Sequence, residues 1–184
     1  MGLCGAAIAP LGWSGPVAAE VLKAAPQETP RYRIRFGVCG ISHDHIHAMV
    51  AAIQRGGGEL VSVWGAEPDK LAAFARRHPG VRIARSQDEV IADGSLRLVL
   101  SSHVANERAA IGMRAMKAGK DFLADKPGIT TLEDLALVRR TVAETGRIYG
   151  ILYSERLEVP AAVHAGELIG QGAIGRVIQT INIA

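Results

Sequence analysis

The sequence predicts an α/β protein with a doubly wound, parallel sheet, and three observations support this fold class. Short apolar runs recur from residue 31 to residue 153, and segments with helical spacing separate them. The runs are apolar without alternation, which is typical of parallel strands that helices cover on both faces. The 184 residues suffice for one such domain and a short surplus. Right-handed crossovers then bring the carboxyl ends of the strands to one edge, where such sheets bind ligands.

The order of the elements follows from apolar spacing and from signals at helix starts. Apolar residues spaced i, i+3, i+4 and i+7 predict a helix over 46–53. Ser86 with Glu89, and Thr130 with Glu133, have the spacing of capping boxes and predict the starts of two further helices. The six predicted strands are 34–39, 60–64, 81–84, 96–100, 121–124 and 147–152.

Charge and composition exclude several classes of partner and site. The chain has 21 Lys and Arg against 18 Asp and Glu, and a net charge of +3 is too small for a nucleic-acid-binding face. Two cysteines, Cys4 and Cys39, exclude a disulfide framework and a cysteine-based zinc site. No apolar run is long enough for a membrane helix. We therefore expect a cytoplasmic protein, or an exported one if residues 1–30 are the remnant of a signal, with no nucleic-acid or membrane partner.

The first motif with candidate binding residues follows the first predicted strand. Gly40 lies where the first glycine of a G-x-G-x-x-G loop would lie, while Ser42 and His45 replace the other two glycines. The loop brings the N-terminus of a helix to the strand ends, and free N–H groups there favour a phosphate. The sequence therefore predicts a phosphate-binding loop at 40–43, with a tight turn that binds no ligand as the alternative.

The same segment has a second interpretation, based on its histidines. His43, His45 and His47 are spaced i, i+2 and i+4, and a His-x-His pair at a strand end can hold a divalent metal in hydrolases. If the segment is helical, His43 and His47 share one face and His45 points elsewhere. We assign no metal ligand from the sequence and keep the metal-dependent hydrolase as an alternative.

The second motif lies at the end of the fifth predicted strand. Asp125, Lys126 and Pro127 follow a short apolar run at the edge where ligands are expected. A lysine in this position can hold a proton or donate a hydrogen bond to a substrate oxygen. The alternative is a surface lysine that precedes a turn.

Several segments, in order and at matching spacing, resemble the Gfo/Idh/MocA oxidoreductases. They are Phe36–Gly40, Met116–Lys120, Asp125–Pro127 with Thr130 and Thr131, Tyr153–Arg156 and Glu167–Gly175. The resemblance implies a Rossmann domain that binds NAD or NADP at 31–153. It also implies that 154–184 holds the first helix and the first strand, at 177–183, of a second α/β domain that the chain leaves incomplete. Residues 1–30 are then an extension or a signal-like segment.

The resemblance also implies roles for individual residues. Lys126 would contact the substrate and assist proton transfer, and Arg156 would bind substrate after the sixth strand. The position where the family has its ribose-binding acid is Gly65 in this chain. Glu67, two positions later, is therefore the candidate for that role. The implied cofactor-binding residues are Gly40, Ser42, His43, Glu67, Ser102, His103 and Asp125.

The function implied is hydride transfer between a nicotinamide cofactor and a secondary alcohol of a sugar or polyol. The resemblance further implies a homo-oligomer, and the chain alone is expected to be inactive without the rest of the substrate domain. A non-catalytic dinucleotide-binding module is the alternative, because two of the three glycines of the loop are replaced.

Overall fold

The computed structural model describes residues 33–154 and 159–181, and it contains one six-stranded parallel sheet. The strands are β1 (Arg35–Cys39), β2 (Glu59–Trp64), β3 (Arg82–Ile83), β4 (Leu98–Ser101), β5 (Asp121–Asp125) and β6 (Tyr149–Leu152). Their spatial order is β3-β2-β1-β4-β5-β6. This is the doubly wound order, and the predicted fold class is confirmed.

Helices connect successive strands, and one more helix follows β6 in the described part of the chain. They are α1 (His45–Arg55), α2 (Pro68–Arg77), α3 (Gln87–Ala92), α4 (Arg108–Lys117), α5 (Leu132–Thr145) and α6 (Pro160–Gly170), and a 3-10 turn at Ala105–Glu107 precedes α4. None of the described helices is long and apolar enough to cross a membrane.

The core explains why the strands are apolar without alternation. On one face of the sheet, Val38 and Leu100 pack with Met49 of α1 and with Phe74 of α2. On the other face, a second cluster joins Phe122 and other strand residues to α4. Both faces are therefore covered, and nearly every position in the central strands is buried.

Two helix starts differ from the predicted capping boxes. The cap of α5 is Thr131, whose hydroxyl accepts the Asp134 N–H at 3.0 Å, so the prediction of Thr130 with Glu133 is wrong by one residue. Ser86 does cap α3 and accepts the Glu89 N–H at 3.2 Å. The Glu89 carboxylate, however, accepts the Arg85 N–H instead of closing the box.

The predicted end of the chain also differs from the structure. Residues 177–181 form no strand, because no neighbouring strand in the described part of the chain pairs with them. Residues 182 and 183 of the predicted strand lie outside the described residues, as do the extension at 1–30 and Arg156. The third strand is shorter than predicted, with 2 residues.

Candidate active site

Four loops meet at the carboxyl edge of the sheet. They follow β1 (40–44), β2 (65–67), β4 (102–104) and β5 (126–131). The chain runs outward in opposite directions from β1 and β4, so the crevice between these two strand ends is the switch point of the sheet. Ligands of open α/β sheets bind at this place.

Gly40 makes the turn that leads out of β1. Its φ of 100° lies in the left-handed region, and its N–H donates to the Trp64 carbonyl at 2.9 Å. A Cβ at this position would lie 2.4 Å from the Cβ of His103. Gly40 therefore lets the loops after β1 and β4 approach each other, and its neighbour is a protein side chain.

Hydrogen bonds join the loop after β1 to the loop after β4. The His43 N–H donates to the Ser102 carbonyl at 3.0 Å, and the Ser102 hydroxyl donates to the His43 carbonyl at 2.7 Å. The Ser42 hydroxyl lies 2.9 Å from His103 Nδ1. Four of the predicted cofactor-binding residues are thus brought together by direct contacts.

Glu67 adds the loop after β2 to the same group. A hydrogen bond from the Ser42 hydroxyl is the main cause that lowers the pKa of Glu67 below its ordinary value of 4.5. The side chain is therefore a carboxylate at neutral pH. Its Oε2 atom is buried and has no hydrogen-bond partner among the described residues.

Asp125 ends β5 in a buried position and is held by Arg108. The Arg108 guanidinium donates to the Asp125 side chain at 3.3 Å and to the Asp125 carbonyl at 2.8 Å. It also donates to the carbonyls of Pro127 at 3.0 Å and of His103 at 2.6 Å. Burial lowers the pKa of Arg108 below its usual range, and the nearby Asp125 charge opposes that effect. One buried side chain thus fixes the loops after β4 and β5.

Sequence reasoning missed Arg108. The signal available was its spacing, because Arg108, Ile111 and Ala115 follow the i, i+3, i+7 pattern of a buried helix face. A cation in such a pattern requires a buried partner. Its partner, Asp125, is 17 residues away in sequence, and spacing alone does not identify it.

Lys126 follows Asp125 on the turn before α5. Its backbone N–H donates to Asp125 Oδ1 at 2.8 Å, and its side chain is half-buried. The next peptide bond, Lys126–Pro127, is cis. The Tyr149 hydroxyl donates to the Gly128 carbonyl at 2.6 Å, which ties the turn to β6. Lys126 therefore begins a turn that is held at several points, and its role in proton transfer stays a prediction.

The three histidines of the first motif separate into two groups. His43 precedes α1 and lies with its Nδ1 3.4 Å from Asp125 Oδ2. His45 begins α1 and lies with its Nδ1 2.9 Å from Asp125 Oδ1. His47 instead stacks on Phe74 and His78. Neither a three-histidine site nor a shared face of His43 and His47 is formed, because the helix begins between the first and third histidines.

The residues at this edge fit the dinucleotide predicted from the sequence. The unpartnered Oε2 atom of Glu67 is a charged acceptor at the end of β2, suited to the hydroxyls of a ribose. The loop 40–44 precedes α1, and the dipole at the start of a helix favours a phosphate. Two cavities, of about 540 and 750 Å³, lie at the amino edge of the sheet, near Gly80 and Gly58. We place the site at the carboxyl edge because the charged and buried polar groups converge there.

Several known proteins are similar to this chain over most of its length. The profile GFO_IDH_MocA, described as an oxidoreductase family with an NAD-binding Rossmann fold, matches residues 34–153. A 1,5-anhydro-D-fructose reductase of Ensifer adhaerens is 30% identical over 146 residues, which are 78% of this chain and 43% of that protein. An inositol 2-dehydrogenase of Saccharopolyspora erythraea is 29% identical over 146 residues, which are 77% of this chain and 42% of that protein.

A solved structure shows the same fold. The crystal structure of a candidate oxidoreductase from Erwinia carotovora atroseptica matches with a TM-score of 0.76 and 41% identity. The match covers 79% of this chain and 44% of that one. The chain therefore spans less than half the length of these similar proteins.

Proposed function

The chain belongs to the Gfo/Idh/MocA oxidoreductase family, and from that premise we propose that it is the NAD-binding part of a dehydrogenase or reductase of sugars or polyols. The observation that carries the proposal is the linkage of three loops, after β1, β2 and β4, around the switch point of the sheet. The similarity to a 1,5-anhydro-D-fructose reductase and an inositol 2-dehydrogenase supports the substrate class.

The loop 40–44 would hold the pyrophosphate of the dinucleotide, and Glu67 would hold its adenosine ribose. The dipole at the start of α1 favours the pyrophosphate. The Glu67 carboxylate would accept hydrogen bonds from the ribose hydroxyls, and its negative charge would repel the 2′-phosphate of NADP. We therefore propose NAD as the preferred cofactor.

Lys126 would act on the substrate. A bound nicotinamide supplies the position that gives or accepts a hydride. As the carbinol carbon loses its hydride, the hydroxyl proton would pass to the Lys126 amino group, and the reverse transfer would serve reduction. Arg108 and Asp125 would position Lys126 by fixing the turn on which it lies. Ser102 and His103 would line the nicotinamide end of the crevice.

Calorimetric titration with NADH and NADPH tests the cofactor proposal. We expect NADH to bind more tightly to the wild-type chain. A hydrogen bond to a charged acceptor contributes about 1.5–3 kcal/mol, so Glu67→Gln should weaken NADH binding by at least about tenfold and reduce the preference over NADPH. The matched control is Glu59→Gln at the opposite end of β2, where Glu59 pairs with Arg35 at the surface.

Two results would overturn this proposal. One is that neither dinucleotide binds to the wild-type chain at millimolar concentration. The other is that Glu67→Gln and Glu59→Gln change the affinity for NADH by the same factor. Equal affinity for NADH and NADPH in the wild-type chain would overturn the NAD preference alone.

A further inference from the structure

A pair of histidines and a buried carboxylate converge at the carboxyl ends of β1 and β5. One ligand atom from each of His43, His45 and Asp125 lies within 4.8 Å of the others. The two histidine side chains are 55% and 39% exposed, while that of Asp125 is 3% exposed. The cluster therefore has a fixed, buried carboxylate on its inner side, and it opens toward solvent on the side of the histidines.

The spacing of these atoms suits a tetrahedral metal ion. Ligand atoms about 2.0–2.1 Å from zinc lie about 3.3–3.4 Å from one another in a tetrahedron. The Nδ1 atom of His43 lies 3.4 Å from Asp125 Oδ2, and that of His45 lies 2.9 Å from Asp125 Oδ1. Small rotations of the two exposed rings would bring both nitrogens to bonding distance of one ion.

The orientation of His43 also suits the cluster. The His45 backbone N–H donates to His43 Nδ1 at 3.3 Å, which is a long hydrogen bond to a ring that is 55% exposed. A metal ion bound to His43 Nδ1 would replace this long hydrogen bond.

Hydrogen bonds from the protein hold the Asp125 carboxylate in place, as a metal-ligating carboxylate requires. Arg108 donates to its Oδ2 atom, and the Lys126 N–H donates to its Oδ1 atom at 2.8 Å. A carboxylate has about four lone-pair positions, so these two bonds leave positions for the histidine side of the cluster. Donors of this kind orient a carboxylate ligand and hold it in place.

We propose that His43, His45 and Asp125 form a site for a divalent transition-metal ion of the zinc class, with a water molecule as the remaining ligand. Two imidazoles and one carboxylate favour such ions over Mg²⁺, which prefers oxygen ligands. His47 is not part of the site. The proposal does not depend on dinucleotide binding, because the ligands belong to the chain alone.

The test is a titration of the chain with Zn²⁺ in competition with a chromophoric chelator, without any dinucleotide. Cys4→Ser is introduced into every protein to remove a thiol that could bind zinc. We expect one equivalent of Zn²⁺ to bind, and His43→Asn and His45→Asn each to weaken binding at least about tenfold. Both side chains are partly exposed, so these variants should fold, which thermal unfolding checks.

His47→Asn is the matched control, because His47 lies on the same segment and contacts Phe74 and His78 instead of Asp125. This variant should bind Zn²⁺ like the parent protein, and Mg²⁺ should not displace Zn²⁺. Substitution with Co²⁺ should give visible absorption bands of a tetrahedral ion that His43→Asn removes. The proposal is overturned if no single equivalent binds, or if His43→Asn and His45→Asn bind as tightly as His47→Asn.

Discussion

Arg108 is the buried cation on which the turn at 125–127 depends. It donates to three backbone carbonyls and to the Asp125 carboxylate, and both charged side chains are at most 5% exposed. Removing one partner of such a pair leaves a buried charge without compensation. The residue therefore contributes to stability and to the geometry at Lys126 together.

We expect Arg108→Met to lower the free energy of unfolding by about 3–5 kcal/mol, measured by urea denaturation. Arg114→Met is the control on the same helix, because Arg114 pairs with the exposed Asp88 at the surface. Exposed pairs contribute about 0–1 kcal/mol. Equal losses in the two variants would contradict the role assigned to Arg108.

The charge of Glu67 depends on Ser42. Because the Ser42 hydroxyl holds the pKa of Glu67 below its ordinary value of 4.5, Glu67 stabilises the fold above pH 4.5 and loses this contribution as pH falls through the lowered pKa. In Ser42→Ala we expect the pKa of Glu67 to rise, as measured by NMR titration of its side-chain carboxyl carbon. An unchanged pKa would show that another group holds the charge.

At the scale of elements, the start of α5 determines where the turn after Lys126 ends. Thr131 caps this helix through the Asp134 N–H. We expect Thr131→Ala to lower the free energy of unfolding by about 1 kcal/mol. Thr130→Ala is the matched control, since Thr130 is exposed and does not cap the helix, and it should change stability by less than half as much. The reverse order would contradict the observed cap.

The packing of α1 on α2 should depend on pH through His47 and His78. Burial is the main cause that lowers the pKa of each histidine below 6.5. The unfolded chain therefore binds more protons than the folded one as pH falls through 6.5, and stability decreases in that direction. His47→Phe keeps the stacking on Phe74 but removes one of these groups. We expect a smaller loss of stability between pH 7 and pH 5 than in the wild type, and an equal loss would refute the explanation.

At the scale of the whole molecule, local sequence patterns predicted the sheet. Contacts between residues far apart in the sequence could not be predicted from such patterns. The six strands and the helix at 46–53 were predictable because apolar periodicity reports burial on both faces of a sheet. The cap at α5 was misplaced because Thr130 and Thr131 both precede acidic residues at the capping distance. The contact of His45 with Asp125 spans 80 residues, and the fold is required to bring them together.

The most direct test of the account is an NMR titration that maps NADH onto the backbone amides of the chain. If the dinucleotide binds at the carboxyl edge, shifts should concentrate in 40–44, 65–67, 102–104 and 125–128, because these loops surround the switch point. Residues 57–60, at the amino edge beside the larger cavity, should be unaffected. Shifts confined to the amino edge, or no shifts at millimolar NADH, would contradict the placement of the site.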